Sequence, residues 1–266
     1  MSSLRFDAVR VQFGTRRSPI VAVDDVSFDV PSGKIVGLVG ESGSGKSTLA
    51  RAAVGLVPLA GGRILVDETP VGELSHRPMQ MVFQDPFSSL DPRMSIGASI
   101  AETMPRGRSR AERAAEVARL MELVHLDPAR ATGLPAGLSG GQRQRVAIAR
   151  ALAAEPSIVI ADEITSALDV SIQGSVLNLV RELRSELGLS MLFITHNLAV
   201  VRYVADEIVV MRHGRVLEQG PTREVLEAPK HEYTRALLHA VPGRIPAEDP
   251  DRATTPDRTM TPTPIR

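Results

Sequence analysis

Nine residues near the start of the chain, "GESGSGKST" at 40 to 48, have the spacing G-x-x-x-x-G-K-[ST]. Gly40, Gly43 and Gly45, interleaved with Glu41, Ser42, Ser44 and Thr48, let successive backbone N–H groups close around phosphate oxygens. Lys46 can reach the β and γ phosphates of a nucleotide, and the Ser47 hydroxyl can ligate Mg²⁺. The acidic pair that such chemistry needs ends a later apolar run, "IVIADE". Asp162 would hold Mg²⁺ through water, and Glu163 would orient or deprotonate an attacking water. A second anion candidate is "LSGGQ" at 138 to 142, directly before a long helical pattern. Ser139 is a good N-cap and Gly140 and Gly141 leave the backbone bare, so this helix start also suits a phosphate. One chain therefore carries two cradles.

These residues sit where elements should end. The short apolar runs "IVGLV" (35–39), "SIVIA" (157–161), "MLFI" (191–194) and "EIVVM" (207–211) suit strands buried on both faces of a parallel sheet. Three of them end in polar or glycine-rich chemistry, and ligands of open α/β sheets sit beyond the carboxyl ends of strands. The segment "TLARAAVGL" after the first cradle reads as a helix. Val117, Leu120, Met121 and Val124, and again Val176, Leu179, Val180 and Leu183, have i, i+3, i+4, i+7 spacing and read as core-facing helix stripes. "RFDAVRVQF", "AVDDVSFDV" and "GRILVDETPV" alternate like antiparallel strands. Taken alone, Gln84 after "MVF" is a solvated side chain and His196 after "LFIT" a core or loop histidine. Their interest lies in their place at strand ends.

Composition narrows the class. Of 266 residues, 43% are hydrophobic and 23% charged, ordinary for a globular protein. The net charge is zero, so no basic field points to nucleic acid. There is no cysteine, which excludes disulfides, thiolate zinc sites and cysteine-ligated iron–sulfur clusters. No apolar run approaches about 20 residues, the length of a membrane span, and "MSSLRFDAVRVQFG" lacks the apolar core of a signal peptide.

The order of the P-loop, Gln84, "LSGGQ", "IVIADE", "SALD" and His196 resembles the ATP-binding subunit of an ABC transporter over about residues 4 to 240. Within that family, "FQDPFSSLDPRMSIG", "TSALDVSIQ" and "GPTREVLEAPKHEYTRALLHAVP" resemble the oligopeptide, dipeptide and nickel importer branch. The resemblance implies a P-loop NTPase of α/β class: a RecA-like core with an antiparallel β layer (1–85 and 155–225), a helical insert (86–154) and a C-terminal helical segment (226–240); the proline- and threonine-rich composition of residues 241–266 predicts a disordered tail. It implies ATP and Mg²⁺ as ligands and a head-to-tail pair of ATPase subunits, the same or paralogous. In that pair Ser139, Gly140, Gly141 and Gln142 would serve the partner's nucleotide, which explains the second cradle. Gln84 resembles the glutamine that contacts Mg²⁺ and the attacking water, His196 the switch histidine near the γ-phosphate, and Asp169 the aspartate that links the two sites. Phe13 resembles the aromatic residue that stacks on adenine, with a core strand residue as the alternative. Two transmembrane permease subunits and, indirectly, an extracytoplasmic solute-binding protein complete the implied assembly, at the cytoplasmic face of the membrane and without nucleic acid.

Three departures from the family pattern are visible. Ile164 replaces the usual proline after the glutamate, which should loosen a turn. Glu68 stands where a turn glycine is usual, and residues 66 to 80 are shorter by about one helical segment. A soluble ABC ATPase acting on DNA or ribosomes is the rival reading. The neutral charge, the single ATPase unit and the lack of a long coiled-coil insert count against it. A degenerate regulatory subunit is a second rival, opposed by intact Lys46, Glu163, His196 and "LSGGQ".

Overall fold

The computed structural model describes residues 2–15, 18–74, 78–85 and 89–239. The alternating N-terminal stretch forms two long antiparallel strands, β1 (Leu4–Thr15) and β2 (Ser18–Val30). Leu4 and Phe6 are buried, but so are Val9 and Val11, which have the opposite parity. Ala8 explains this: it takes φ 51° at a shift in the strand register, and such a bulge turns the following side chains to the other face. Asp25, at φ 56°, does the same between Val23 and Val26. The rings of Phe6 and Phe28 stack at 4.5 Å inside the hairpin.

The all-apolar run becomes β3 (Ile35–Val39), buried at every residue, and leads through the glycine-rich loop into α1 (Lys46–Ala53). Next come β4 (Gly61–Val66) and the two-residue β5 (Thr69–Pro70). Their connection is Asp67 (φ 47°) and Glu68 (φ 66°), the two consecutive left-handed residues that a tight hairpin turn demands. Glu68 thus adopts the backbone of the glycine usual there. The Asp67 carboxylate accepts from Ser3 N–H at 2.7 Å and the Glu68 carboxylate meets Arg5 at 3.0 Å, which holds the turn. A single 3-10 turn (Val71–Glu73) follows before β6 (Met79–Val82); residues 75–77 of this shortened segment lie outside the described ones.

From there to residue 152 the elements are helical: α2 (Ile96–Ala101), α3 (Arg110–Leu123) and α4 (Gly140–Leu152). Ser109 caps α3 in a reciprocal box with Glu112, which fixes the start of a helix whose Val117, Leu120 and Met121 are buried. Then β7 (Ile158–Asp162), α5 (Val170–Leu187), β8 (Ser190–Thr195), α6 (Leu198–Val204) and β9 (Glu207–Arg212) complete the parallel units. β10 (Arg215–Pro221) returns antiparallel to β9, and α7 (Thr222–Glu227) and α8 (Glu232–His239) follow. The expected tail, 241–266, lies outside the described residues.

Two sheets result. One has the order β2-β1-β4-β5 and is antiparallel; the other has the order β10-β9-β3-β8-β7-β6 and is parallel except for β10. The β layer and α1 cover one face of the parallel sheet, with Phe6, Phe28, Leu49 and Leu38 in one core. The helices α3, α4 and α5 form a second core with Val159, Met191 and Phe193 on the other face. This is the α/β architecture that the strand runs imply.

β3 lies between β8 and β9, and α6 crosses it closely. Gly37 makes that approach possible, because a Cβ there would lie 2.4 Å from Val201 Cγ1. Gly37→Ala should therefore destabilise the fold by about 1–3 kcal/mol through overpacking. Val201→Ala in the same chain should recover part of that loss. Urea midpoints of the two single variants and the double variant check this, and strict additivity would show that the two side chains do not meet.

Candidate functional site

Strand β3 ends at Val39, and the chain must turn at once toward α1. Gly40 makes the turn with φ 157°, and a Cβ on it would stand 2.0 Å from the Met211 carbonyl oxygen. At the loop's far end Gly45 has φ 102° and passes so near the Ala22 carbonyl that a Cβ would lie 2.4 Å from it. The loop is thus shaped from outside by the β9–β10 turn and by β2. Ser44 N–H donates to Glu41 O within it, and Gly214 N–H donates to Ser44 O from the turn.

Lys46 is buried beneath this loop. Its ammonium donates to the carbonyls of Gly40 and Glu41, each at 2.8 Å, and reaches Ser44 Oγ at 3.3 Å. Burial pulls its pKa down, and the carboxylates of Glu163, Asp162 and Glu41 oppose that. The cation is thus held by dipoles, ready for anionic oxygens that would bind it more strongly.

The next residue faces the acidic strand end. Ser47 Oγ donates to Asp162 Oδ1 at 2.9 Å, which joins α1 to the end of β7 across 115 residues. Burial raises the Asp162 pKa and the Ser47 hydroxyl works against it. A hydroxyl and one carboxylate form an all-oxygen pair suited to a hard cation that keeps waters and phosphate oxygens as its other ligands. No cluster of three or more acidic or histidine residues that could cage a metal exists among the described residues.

Glu163 follows with φ 49°, a left-handed backbone on a non-glycine residue. Its N–H donates to Ile194 O at 2.9 Å, tying the turn to β8. Its Oε1 lies 3.3 Å from His196 Nδ1, just beyond the end of β8. The turn is not loose despite Ile164. That side chain is buried in the helical-side core, and the Glu163 carbonyl accepts from both Ser166 N–H and Ser166 Oγ–H. Gln84, just past β6, donates from Nε2 to Ser166 Oγ at 3.3 Å. Ser47 is thus joined to Asp162, Glu163 to His196 and, through Ser166, Gln84 to Glu163 at the carboxyl edge of the parallel sheet, within electrostatic reach of Lys46.

The second cradle is built on α4. Ser139 and Gln142 form a reciprocal cap: Gln142 N–H donates to Ser139 Oγ, and Gln142 Oε1 accepts from Ser139 N–H at 3.0 Å. Arg130 also reaches Gln142 Oε1 at 3.4 Å. Gly141 is buried against α5, where a Cβ would stand 2.4 Å from Ile172 Cγ2, whereas Ser139 is exposed. Asp169 is exposed at the N-cap position of α5 with no side-chain cap bond. Phe13 is 44% exposed and opposite exposed Ile20 across the hairpin, so the core alternative for Phe13 does not hold.

Sequence reading missed the outer wall of the loop: the Met211–Gly214 turn and Tyr233 on α8, whose hydroxyl accepts the Glu41 N–H at 3.1 Å. Their contacts cross nearly the whole chain, and the only local sign was the His-x-Tyr triplet in the branch-specific C-terminal segment.

Comparison with known proteins identifies the family and the fold. The family model for ABC transporters matches residues 23–166, and that for the C-terminal region of oligopeptide/dipeptide transporters matches 217–263. A putative peptide import ATP-binding protein of Brucella abortus is 46% identical over 251 residues, covering 91% of this chain and 78% of the relative. The oligopeptide transport ATP-binding protein OppF of Bacillus subtilis is 45% identical over 259 residues, covering 93% and 84%. Among solved structures, the dimeric ATP-binding cassette MJ0796 in a post-hydrolysis state with ADP and Pi aligns with a TM-score of 0.73 at 28% identity, over 83% of this chain and 99% of that one. The cbiO1 protein of Clostridium perfringens, part of the ABC transporter complex cbiONQ, gives a TM-score of 0.76 at 26% identity, over 90% and 95%.

Lys46→Met tests the site's electrostatics. Removing a buried cation whose hydrogen-bond partners are all uncharged should change ligand-free stability by no more than about 1 kcal/mol, since the charge itself is costly to bury. Affinity for ATP should fall about 10- to 100-fold, the equivalent of one or two charge-assisted hydrogen bonds. Melting curves with and without nucleotide separate the two effects. An equal loss in both would make Lys46 a structural strut.

Proposed function

The chain belongs to the ABC transporter family of ATP-hydrolysing cassettes, and on that premise we propose that it is the ATPase subunit of an importer for peptides, with nickel the less favoured cargo. The cargo class rests on the C-terminal match over 217–263 and on relatives named for peptide import. The same match favours transport over the soluble rival acting on DNA or ribosomes. The partners in this reading are a second ATPase subunit, two permease subunits and, indirectly, a solute-binding protein. No described helix is long and apolar enough to cross a membrane, so anchoring at the cytoplasmic face would come from the permeases.

One observation carries the catalytic reading. The two sites shaped for phosphate are spent differently: Lys46 is buried within its own loop, while Ser139 at the capped start of α4 is exposed. An exposed helix N-terminus with a positive dipole end suits the γ-phosphate of a nucleotide held by another chain. In the proposed head-to-tail dimer the P-loop of one chain and residues 139–142 of the other enclose each ATP. Asp169 approaches the partner's site, and Phe13 offers an exposed ring for adenine to stack on.

The chain's own groups then divide the work. Lys46 transfers its hydrogen bonds from carbonyls to the β and γ phosphates. Ser47 and Asp162, the latter through water, would hold Mg²⁺, which supplies charge neutralisation at the phosphates. Gln84 leaves Ser166 to reach the cation and the attacking water. As the water oxygen bonds to the γ-phosphorus and the bridging bond to ADP breaks, Glu163 accepts the water's proton. His196, beside Glu163, holds the carboxylate's orientation and meets the γ-phosphate.

Glu163→Gln should keep ATP binding and lose at least about 100-fold in turnover, the scale of a general base, with ATP-bound dimers accumulating. Size-exclusion chromatography and phosphate release check both halves, and wild-type turnover would remove Glu163 from the base role. The trans assignment has its own test. Ser139→Arg spoils the outward cradle and Lys46→Ala the inward one. If the subunit pairs with itself, a mixed dimer regains one intact site, and some ATPase activity should return on mixing two inactive variants. No recovery would place each site within a single chain. A paralogous partner requires one variant in each subunit.

A further inference from the structure

The peptide group between Gly40 and Glu41 is held from both sides. Its carbonyl accepts from Lys46 Nζ at 2.8 Å. Its N–H, which points the opposite way in a trans peptide, donates to the Tyr233 hydroxyl at 3.1 Å. The two anchors come from opposite ends of the chain, since Tyr233 lies 192 residues beyond Glu41.

Tyr233 is itself firmly seated. It is 6% exposed and packs with Val39, Val210, Leu198 and Leu238. The Arg212 guanidinium lies over its ring at 4.5 Å. Burial holds its phenol above the usual pKa, so the hydroxyl stays neutral and protonated. The helix start is tied down in turn. Glu218 on β10 accepts the N–H groups of Lys230 at 2.8 Å and His231 at 3.1 Å, and His231 Nδ1 accepts the Tyr233 N–H at 3.0 Å. The C-terminal segment thus forms a rigid strut from β10 to the first peptide of the loop.

We propose that Tyr233 is a positioning residue of the nucleotide site, fixing the Gly40–Glu41 peptide so that α8 and the phosphate loop stabilise one another. The inference rests on the nucleotide-binding reading of residues 40–48. Its physical content is that a freely rotating peptide would swing the Gly40 carbonyl away from Lys46. Once phosphates draw Lys46 away from that carbonyl, Tyr233 remains the only side-chain anchor described for this peptide. Binding and strut are then linked, and linkage is reciprocal: whatever α8 gives to ATP affinity, ATP returns to the order of α8.

Tyr233→Phe keeps the ring, its packing and its cation contact, and deletes one acceptor oxygen. The full chain, as wild type, Tyr233→Phe and Lys46→Ala, is titrated with a fluorescent ATP analogue and Mg²⁺, with melting temperatures recorded without nucleotide. Hydrogen exchange of residues 232–239 is followed with and without the analogue. The expected result is a Kd raised about three- to tenfold in Tyr233→Phe, the span of one neutral hydrogen bond, together with a modest fall in the nucleotide-free melting temperature. The analogue should slow exchange of α8 in the wild type and do so by a smaller factor in Tyr233→Phe. Wild-type affinity in Tyr233→Phe overturns the proposal, including the case in which only the melting temperature falls, because a purely structural tyrosine gives that pattern. A wild-type chain that fails to bind the analogue overturns the nucleotide reading itself, which is a separate failure.

Discussion

The register of three adjacent parallel strands is the constraint on which the site depends. Val39 pairs with Thr195 and Asp162 with Ile194, so β3, β8 and β7 finish at one level. The phosphate loop, the Asp162–Glu163 pair and His196 emerge there together because of it. Side chains alternate along a strand, so a slip of one residue in β7 would turn Asp162 away from Ser47 and bring Ala161 or Glu163 to its place. The slip is opposed by burial of all five residues of β3 and of β7 on covered faces. The hydrophobic effect thus sets the alignment, and the polar groups at the edge inherit it.

That edge holds opposite charges under one physical pressure. Burial lowers the pKa of Lys46 and raises that of Asp162, so each is driven toward its neutral form while the other's charge opposes the change. Carbonyl dipoles serve Lys46 and a hydroxyl serves Asp162, partners that satisfy hydrogen bonding without neutralising charge. A polyphosphate with a divalent cation would supply to each the full opposite charge it lacks. The chain is electrostatically unfinished at the point where its ligand would complete it.

Local chemistry was legible in the sequence, and distant chemistry was not. The glycine spacing at 40–48, the strand runs and the core stripes on α3 and α5 could be read because each depends on neighbours within a few residues. Ser47 and Asp162 could be assigned to one Mg²⁺ from the chemistry of their motifs, but the direct bond between them, across 115 residues, could not be read. The bulges at Ala8 and Asp25 left no mark, because alanine and aspartate do not announce a left-handed backbone as glycine does. Glu68 misled in the same way: it looked like a defect in a turn and simply adopts the turn's geometry. Ile164 looked like a loosening and instead fills the core. Tyr233 was hidden most completely, for its partner is a backbone N–H, and backbone groups have no sequence signature.

The backbone at Glu163 has a consequence for how such a protein can drift. A left-handed conformation costs a side-chain-bearing residue about 1–2 kcal/mol, and glycine would escape it. Selection for heat resistance alone would therefore be drawn toward glycine at the position proposed to supply the base. A copy released from its transport duty could grow sturdier as it fell silent, still folding and still able to hold a nucleotide. In a collection of thermostable offspring of this chain, inactivity at residue 163 would be a sign of relaxed strain rather than of damage.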